Sequence, residues 1–380
     1  MKRLSDVDLM GKRVLVRVDF NVPLAAGAIT NDQRIRSSLP TIAHVLDSGA
    51  GVVLASHLGR PEEGVFESAL SLAPVAARLQ SLLGRAVRLE RDWKQGLDMR
   101  PGDVILLENI RFEIGEKAND PLLSKRLAGL CDVFVMDAFA SSHRAHASTL
   151  GAGLAAPVSC GGFLLTSELD SLDGVICSPR RPLVAVVGGA KVSTKLEVLE
   201  SLAAKADHLV LGGGMANTLL LALGYPVGAS LAEPELREKV MALTKLTEVF
   251  CPHDVVAARG QAAGVPGLFR RTGDVRENEL VLDIGPSSAR KIAALIGQAG
   301  TVLWNGPLGM FELDQFGEAT RVAGEAIAES SAFSVAGGGD TIAAIEKYDL
   351  AGGLDYISTA GGAFLEYLGG GSLPALSALG

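Results

Sequence analysis

The first half of this 380-residue chain carries four short motifs rich in arginine and histidine. They read R-V-D-F-N-V-P at 17–23, S-H-L-G-R-P at 56–61, E-N-I-R-F at 108–112 and H-R-A-H at 143–146. A guanidinium presents several N–H donors in one plane, which matches the oxygens of a carboxylate or phosphate. The first half is therefore predicted to bind a small anion.

The second half carries loops of consecutive glycines. They read G-G-A-K-V-S-T-K at 188–195, G-G-G-M at 212–215, N-G-P-L-G at 305–309 and G-G-G-D-T at 337–341. Backbone N–H groups at a helix start bind phosphate. Lys191 and Lys195, four residues apart, are predicted to share one helical face beside it. The G-x-x-x-x-G-K-[ST] pattern of a Walker A loop does not occur in this sequence.

Buried apolar runs alternate with helical patterns, which predicts parallel strands joined by crossover helices. The predicted strands are 13–18, 51–55, 86–89, 104–107 and 133–136 in the first half, and 183–187, 208–211, 281–284, 301–304, 332–335 and 356–358 in the second. Helices are predicted at 39–47, 72–83 and 122–128. The predicted fold class is α/β, with two doubly wound parallel-sheet (Rossmann-like) domains joined by a hinge helix.

The hinge is predicted from a helical pattern over 166–177 that ends at Ser178-Pro179. A helix between two domains suits a motion of rigid bodies. The predicted domains are residues 1–165 plus the C-terminal tail 369–380, an interdomain hinge helix at 166–181, and residues 182–368.

Ligands of open α/β sheets bind at the carboxyl ends of the strands, and all four arginine motifs follow predicted strands. The residues expected to converge there are Asp19, Asn21, Arg34, His57, Arg60, Arg111 and Arg144. Any single arginine of this set is better explained as a surface residue or a member of a structural ion pair, but four motifs at four strand ends favour one site. His143 and His146 could ligate a metal; without a cysteine or carboxylate cluster, a role at a helix start or on the surface is preferred.

In the second half, the 337–341 loop offers backbone donors to a phosphate chain and Asp340 to its Mg²⁺. Glu312, in the loop after 305–309, could accept hydrogen bonds from ribose hydroxyl groups. Residues 360–363 form a further set of backbone donors at a predicted helix start.

Composition narrows the class of protein. Lys and Arg number 19 against 18 Asp and Glu in residues 1–160, and 16 against 25 in residues 161–380, for a net charge of −8. An acidic chain with 5% aromatic residues disfavours nucleic acid as a partner. Its uncharged runs are too interrupted to span a membrane. Four cysteines without C-x-x-C spacing predict reduced thiols in the cytoplasm, with a catalytic Cys160 as a minor alternative to a core position.

The motifs in this order resemble those of the phosphoglycerate kinase family, of the bacterial type, over essentially the whole chain. D-A-F-A-S-S-H-R-A-H at 137–146, W-N-G-P-L-G-M-F-E at 304–312 and A-G-G-G-D-T at 336–341 extend the match. The resemblance implies a cytoplasmic, monomeric kinase of glycolysis and gluconeogenesis. It would transfer a phosphoryl group in line, and reversibly, between 1,3-bisphosphoglycerate with MgADP and 3-phosphoglycerate with MgATP, driven by hinge closure.

The resemblance also implies residue roles. Arg34 and Lys191 would be catalytic, stabilising the transferring phosphoryl group. The implied phosphoglycerate-binding residues are Asp19, Asn21, Arg34, His57, Gly59, Arg60, Arg111 and Arg144. The implied nucleotide-binding residues are Gly189, Ala190, Lys195, Gly213, Asn305, Pro307, Glu312, Gly338, Gly339, Asp340 and Thr341, with Asp340 also the Mg²⁺ ligand.

Three segments depart from the family pattern: Ala360-Gly361-Gly362 replaces three glycines, 251–271 lacks a valine-rich run, and 369–371 replaces a more charged sequence. Two alternatives belong to other classes. A dinucleotide-dependent dehydrogenase could use Gly212 and Gly214, but Asn217 occupies the position of the third glycine. A catalytically silent scaffold would have no need of reactive groups in both halves.

Overall fold

The computed structural model describes residues 1–358 and 360–380. The chain divides into two compact units, residues 1–169 with 372–380, and residues 170–371. Each unit contains its own parallel sheet, which confirms the predicted fold class of two Rossmann-like sheets. The assignment of one ligand to each unit, with a hinge between them, stays a prediction.

The first unit is built on a parallel sheet around its N-terminal strand. Its elements, in chain order, are β1 (Arg13–Val18), β2 (Leu24–Ala25), β3 (Ala28–Ile29), α1 (Gln33–Asp47), β4 (Gly51–Ala55), α2 (Ala73–Leu83), β5 (Arg88–Glu90), β6 (Val104–Leu107), α3 (Pro121–Ala128), β7 (Val133–Asp137), α4 (Ala152–Ala155), β8 (Ser159–Gly161) and α5 (Phe163–Ile176), the last of which continues into the second unit. The strand order is β5-β6-β4-β1-β7-β8. β1 lies at the centre, parallel to β4 on one side and β7 on the other.

The core of this unit explains why the apolar runs form its strands. Val14, Val16 and Val18 on β1 and Ile35 and Ile42 on α1 belong to one buried cluster. Residues 14–18 of β1 are all buried, as expected for a strand covered on both faces.

α1 begins at Gln33 rather than at the predicted residue 39. The predicted start was wrong: Pro40, a residue type common in a first helical turn and rare in a helix interior, lies inside the helix. Proline there removes one hydrogen bond to the preceding turn. The earlier start places Arg34 in the first turn of α1.

The second unit is built on a second parallel sheet. Its elements are β9 (Leu183–Gly189), α6 (Leu196–Ala203), β10 (His208–Gly213), α7 (Gly214–Ala222), α8 (Arg237–Leu243), β11 (Glu248–Phe250), β12 (Asp254–Ala258), β13 (Leu268–Arg271), β14 (Leu280–Ile284), α9 (Pro286–Ile296), β15 (Thr301–Asn305), α10 (Glu318–Glu329), β16 (Phe333–Gly337), α11 (Gly339–Lys347), β17 (Tyr356–Ser358) and α12 (Gly361–Leu368). The parallel strands follow the order β11-β10-β9-β15-β16-β17.

One strand of this unit lies in a different sheet from the predicted one. β14 was predicted among the parallel strands, but it pairs antiparallel with β12 in a separate sheet of order β13-β12-β14. Hydrophobic periodicity identifies a strand without identifying its partner. None of the helices in the described ranges combines the length and apolarity needed to span a bilayer.

Candidate active site

Four guanidinium groups converge on one histidine of the first unit. Burial lowers the pKa of His57, and the positive charges of Arg17, Arg111, Arg144 and Arg34 lower it further. Arg17 lies near the carboxyl end of β1, whereas His57, Arg111 and Arg144 come after β4, β6 and β7. Arg34 lies at the start of α1, so the sheet order brings all five residues to one edge. The cluster is a strongly positive site for an anion.

Arg34 is held by the loop that follows β1. Its guanidinium donates to Asp19 Oδ2 at 2.9 Å and to the Asn21 carbonyl at 3.2 Å. The Asn21 N–H donates to Asp19 Oδ1 at 3.1 Å, and the Gly59 N–H donates to Asn21 Oδ1 at 2.9 Å. The Arg34 side chain remains 31% exposed. Asp19 and Asn21 therefore orient a guanidinium that can still contact a ligand.

Arg111, in the loop after β6, is more buried than Arg34. Its backbone N–H donates to Asn109 Oδ1 at 3.2 Å, and its guanidinium donates to the Gly59 carbonyl. Burial and the nearby Arg144 and Arg17 charges lower the pKa of Arg111 to about 10. Arg144 is partly buried, whereas Arg60 is exposed. Of the predicted arginines, Arg60 is thus the most open to solvent.

The structure adds Arg17, Glu116 and Ser148, which the sequence analysis did not assign. Arg17 Nε donates to Ser148 Oγ at 3.0 Å, and Ser148 Oγ donates to Glu116 Oε1 at 2.5 Å. All three side chains are buried. An arginine inside the apolar run 13–18 was the available signal for Arg17, because a buried charge requires partners. Glu116 and Ser148 gave no such signal.

In the second unit, the glycines allow three loops to pack in direct contact. A Cβ on Gly188 would lie 1.7 Å from the Pro307 carbonyl oxygen, and one on Gly214 would lie 2.0 Å from the Ala190 carbonyl oxygen. Gly306 has a φ of +111°, a conformation that favours glycine. These glycines are therefore explained by close backbone packing, and Gly214 also lines a cavity formed by the same loops.

Lys195 joins the carboxyl ends of β9 and β15. Its ammonium group donates to the Gly188 carbonyl at 2.9 Å and to Asn305 Oδ1 at 2.6 Å. Burial lowers the pKa of Lys195 to about 8, while the charge of Asp340 opposes this shift.

The prediction that Lys191 and Lys195 share one helical face was wrong. A short 3₁₀ turn, Val192–Thr194, separates them, and α6 begins only at Leu196. Lys191 is exposed, and Lys195 is partly buried.

The start of α11 is tied to the β15 loop. Thr341 Oγ1 accepts from the Gly306 N–H at 2.7 Å and donates to the Gly337 carbonyl at 2.8 Å. Asn305 Nδ2 donates to the same carbonyl at 2.6 Å. Gly338, with a φ of +102°, precedes the helix. Asp340 lies exposed in the first turn of α11, so its carboxylate is available beside the backbone donors.

These loops enclose a cavity of about 270 Å³ in the second unit. Of the predicted nucleotide-binding residues, six line it: Gly189, Ala190, Gly213, Pro307, Glu312 and Asp340. Lining residues that the sequence analysis missed are Gly214, Asn217, Leu231, Gln261, Leu280, Val281, Leu282, Gly309 and Met310. Lys195, Asn305, Gly338, Gly339 and Thr341 lie outside the lining. An apolar wall with a few polar groups suits a small ligand with an aromatic base.

The donor set fits Mg²⁺ only together with a ligand. The described residues contain no group of three or more His, Cys, Asp or Glu side chains that could hold a metal ion. Mg²⁺ is commonly bound through one or two carboxylates plus substrate phosphates, and Asp340 supplies one carboxylate at the cavity. His143 and His146 belong to no such group, and His146 directly precedes a π-helical turn, Ala147–Gly151.

The alternative of a catalytic cysteine is not supported by the position of Cys160. This residue lies fully buried on β8. Burial raises the pKa of its thiol to about 12. A thiol with so high a pKa is a poor nucleophile at neutral pH.

Two parallel-sheet units, one with an arginine cluster and the other with a glycine-walled cavity, provide the kind of anion-binding groups that a phosphotransferase requires. The sequence profile of phosphoglycerate kinases matches residues 4–371. Phosphoglycerate kinase from Coxiella burnetii is 47% identical, with a TM-score of 0.96 over 99% of this chain and 98% of that chain. The enzyme from Pyrococcus horikoshii OT3 is 32% identical, with a TM-score of 0.80 over 100% of this chain and 98% of that one.

The chain belongs to the phosphoglycerate kinase family. This confirms the predicted resemblance and the prediction of an enzyme that transfers phosphoryl groups. The dehydrogenase and silent-scaffold alternatives are not favoured.

Proposed function

We propose that the first unit binds 3-phosphoglycerate or 1,3-bisphosphoglycerate in its arginine cluster, and that the second binds MgATP or MgADP in its glycine-walled cavity. The observation that carries this proposal is the convergence of four guanidinium groups on His57. A ligand with a carboxylate or acyl phosphate at one end and a phosphate at the other has the charge to match several arginines.

Arg34 is the proposed contact to the transferring phosphoryl group. It is part-exposed, and Asp19 and Asn21 fix its direction. Arg60, Arg111, Arg144 and His57 are proposed to bind the remaining oxygens. Electrostatic stabilisation works best when the donors are already oriented, because no reorganisation is then needed during reaction.

On the nucleotide side, Glu312 is proposed to bind the ribose and the backbone at the start of α11 to bind phosphate. The helix dipole favours a negative group at that end. Asp340 is proposed to hold Mg²⁺, which when bound would neutralise charge on the phosphate chain. Lys195 is proposed to contact phosphate oxygens, and the exposed Lys191 to stabilise the group in transit.

Transfer of this kind needs positioning and charge neutralisation, and no protein nucleophile. Closure about the hinge predicted at 166–181 is proposed to bring the two substrates together, as a step that excludes water. A cytoplasmic, monomeric protein is also proposed, on the family resemblance. Light scattering coupled to size exclusion measures the mass that the monomer proposal requires.

The test is a coupled assay for ATP-dependent phosphorylation of 3-phosphoglycerate, run with and without Mg²⁺. We expect turnover that requires both 3-phosphoglycerate and the metal. Absence of turnover, together with binding of a nicotinamide cofactor followed by its fluorescence, would favour the dehydrogenase instead.

A further inference from the structure

Four buried polar side chains form a continuous hydrogen-bonded network that includes Arg17 of the arginine cluster. We call Glu116, Ser148, Arg17 and His57 the buried network. None of these four side chains is more than 3% exposed. Ser148 Oγ lies 2.5 Å from Glu116 Oε1, Arg17 Nε lies 3.0 Å from Ser148 Oγ, and the Arg17 guanidinium lies 3.2 Å from His57 Nδ1. The buried network thus connects the carboxyl group of Glu116 in the interior to the imidazole of His57 at the candidate site.

The direction of each hydrogen bond follows from what each group can donate. A guanidinium only donates, so Ser148 Oγ accepts from Arg17 and gives its single proton to Glu116. Glu116 Oε2 accepts from the Ser148 backbone N–H at 2.9 Å. Both carboxyl oxygens of Glu116 therefore accept hydrogen bonds from Ser148. Burial raises the pKa of Glu116, while the Arg17 charge and the Ser148 hydrogen bonds oppose that rise.

The same rule fixes the state of His57. Because Arg17 has no lone pair to offer, His57 Nδ1 must be the acceptor. A neutral imidazole with an unprotonated Nδ1 carries its proton on Nε2. The ring stays neutral because burial and the charges of Arg17, Arg111, Arg144 and Arg34 all disfavour a second proton. Within residues 1–358 and 360–380, no hydrogen-bond partner is found for Nε2.

We infer that Arg17 is a positioning residue, anchored by Ser148 and Glu116, that fixes His57 as the Nε2–H tautomer. His57 then presents a hydrogen-bond donor to an anionic ligand in the arginine cluster, where the other tautomer would present a lone pair and repel an oxygen anion. Arg17 is itself 2% exposed and acts through His57. The inference rests on the proposed function only for the identity of the ligand, 3-phosphoglycerate.

The first test is nuclear magnetic resonance on the full chain labelled with ¹⁵N-histidine, without ligand at pH 7. The His57 signals are assigned by their loss in His57→Gln. We expect an unprotonated Nδ1 and a protonated Nε2. A proton on Nδ1, a rapid exchange of tautomers, or an imidazolium would overturn the inference. The tautomer is measured on the wild-type protein, so the result does not depend on whether a variant of the buried network folds.

The second test compares Arg17→Gln with Arg13→Gln. Arg13 lies on the same strand but is half-exposed and pairs with Asp132. Arg17→Gln should give mixed His57 tautomers and raise KM for 3-phosphoglycerate about tenfold, as loss of one charged hydrogen bond would. KM for ATP should stay within about twofold, as expected for sites on separate units. Arg13→Gln should leave the tautomer and both KM values unchanged.

If Arg17→Gln does not fold, Ser148→Ala replaces it, because removing the acceptor of Arg17 Nε should also mix the His57 tautomers. An unchanged tautomer and unchanged KM in the folded variant would contradict the inference. Failure of the kinase assay would reject the proposed function alone, since the tautomer of the unliganded protein is measured without turnover.

Discussion

Arg34 shows how one side chain depends on its neighbours. Its guanidinium is aimed by Asp19 and by the Asn21 carbonyl, while Arg36, on the same turn of α1, pairs with Asp32. Two arginines two residues apart on one helix therefore have different surroundings, since residues i and i+2 point in different directions. One is directed to the candidate site, and the other belongs to a surface ion pair.

Arg34→Ala should lower kcat by orders of magnitude, because it removes a donor aimed at charge in the transition state. The dissociation constant of the nucleotide, measured by calorimetry, should barely move. Arg36→Ala is the matched control and should retain wild-type turnover. If Arg34→Ala also kept near wild-type kcat, its proposed role would be wrong.

Lys195 gives the second unit a pH-dependent charge. Its pKa is lowered to about 8 by burial, so the unliganded protein loses this positive charge as pH rises through 8. A phosphate ligand favours the protonated form, and nucleotide affinity should fall by up to about tenfold per pH unit above 8. Calorimetric titration with MgADP from pH 7 to 9 measures this effect.

Lys195→Gln should bind MgADP at least about tenfold more weakly at pH 7, because a charge-assisted contact is lost. It should also lack the decline above pH 8. Lys245→Gln, at an exposed lysine of the same unit, should behave as wild type in both respects. A decline of equal size in Lys195→Gln would assign it to another group.

The candidate site was predictable where chemistry follows a strand directly in the sequence. Asp19, His57 and Arg111 could be placed because a polar residue after a buried run lies at a sheet edge. Asn217, Gln261 and Met310 could not, since they reach the cavity from segments that only the tertiary structure brings together. Arg17 could have been identified from the sequence because it is a charged residue inside a buried apolar run. The sequence around Glu116 gave no comparable indication.

Among the secondary-structure elements, periodicity recovered most of the parallel strands but missed the short edge strands β8 and β11. It also failed where local rules conflict with packing. α1 continues through Pro40 because its apolar face, including Ile35 and Ile42, packs into the core. β12 and β13 were not predicted at all, and they form the extra sheet with β14. β12 and β13 both lie within the segment 251–271, which departs from the family pattern.

The glycine loops lead to a prediction about stability. Gly214→Ala would place a Cβ 2.0 Å from the Ala190 carbonyl oxygen, whereas the Cβ of Gly339→Ala would have no neighbouring atom within 4 Å among the described residues. We expect Gly214→Ala to lose on the order of 1–3 kcal/mol or more, as for an overpacked core. Gly339→Ala should be close to neutral or slightly stabilising. The unliganded thermal midpoint measures both, and equal midpoints would contradict the packing explanation.

Asp137 links the end of β7 to the start of α5. Its Oδ1 accepts from the backbone N–H groups of Leu164 at 2.9 Å and Leu165 at 3.2 Å, and burial raises its pKa to about 6. The folded state therefore holds this proton more tightly than the unfolded state does. The resulting stability is present below about pH 4 and is lost as pH rises through about 6.

Asp137→Asn should remove this pH dependence. Relative to the variant, the wild-type free energy of unfolding should fall by up to about 3 kcal/mol between pH 4 and pH 7, from a shift of about two pKa units. Urea unfolding at the two pH values measures the difference. Asp98→Asn, at an exposed carboxylate of the same unit, is the control, and a constant difference between wild type and Asp137→Asn would exclude this assignment.

In the molecule as a whole, charge is unevenly distributed along the chain, and the proposed ligands follow the same division. Residues 1–160 are nearly neutral in sum, while residues 161–380 carry most of the negative charge. The first unit concentrates its arginines at one sheet edge, so a small anion can be bound without a basic surface elsewhere. The second unit is acidic, so we expect that backbone donors, Lys195 and a metal ion would be needed for it to bind a polyphosphate.

Hydrogen exchange with one ligand at a time tests this division. 3-Phosphoglycerate alone should slow exchange in residues 17–23, 56–61 and 108–112 and leave residues 188–195 and 337–341 unchanged, because binding suppresses local opening only where it makes contacts. MgADP alone should give the reverse pattern. Both ligands together should add protection in α5, which carries the chain from one unit into the other. Protection of residues 17–23 by MgADP alone would contradict the assignment of one ligand to each unit, whereas unchanged α5 would contradict only the proposed closure.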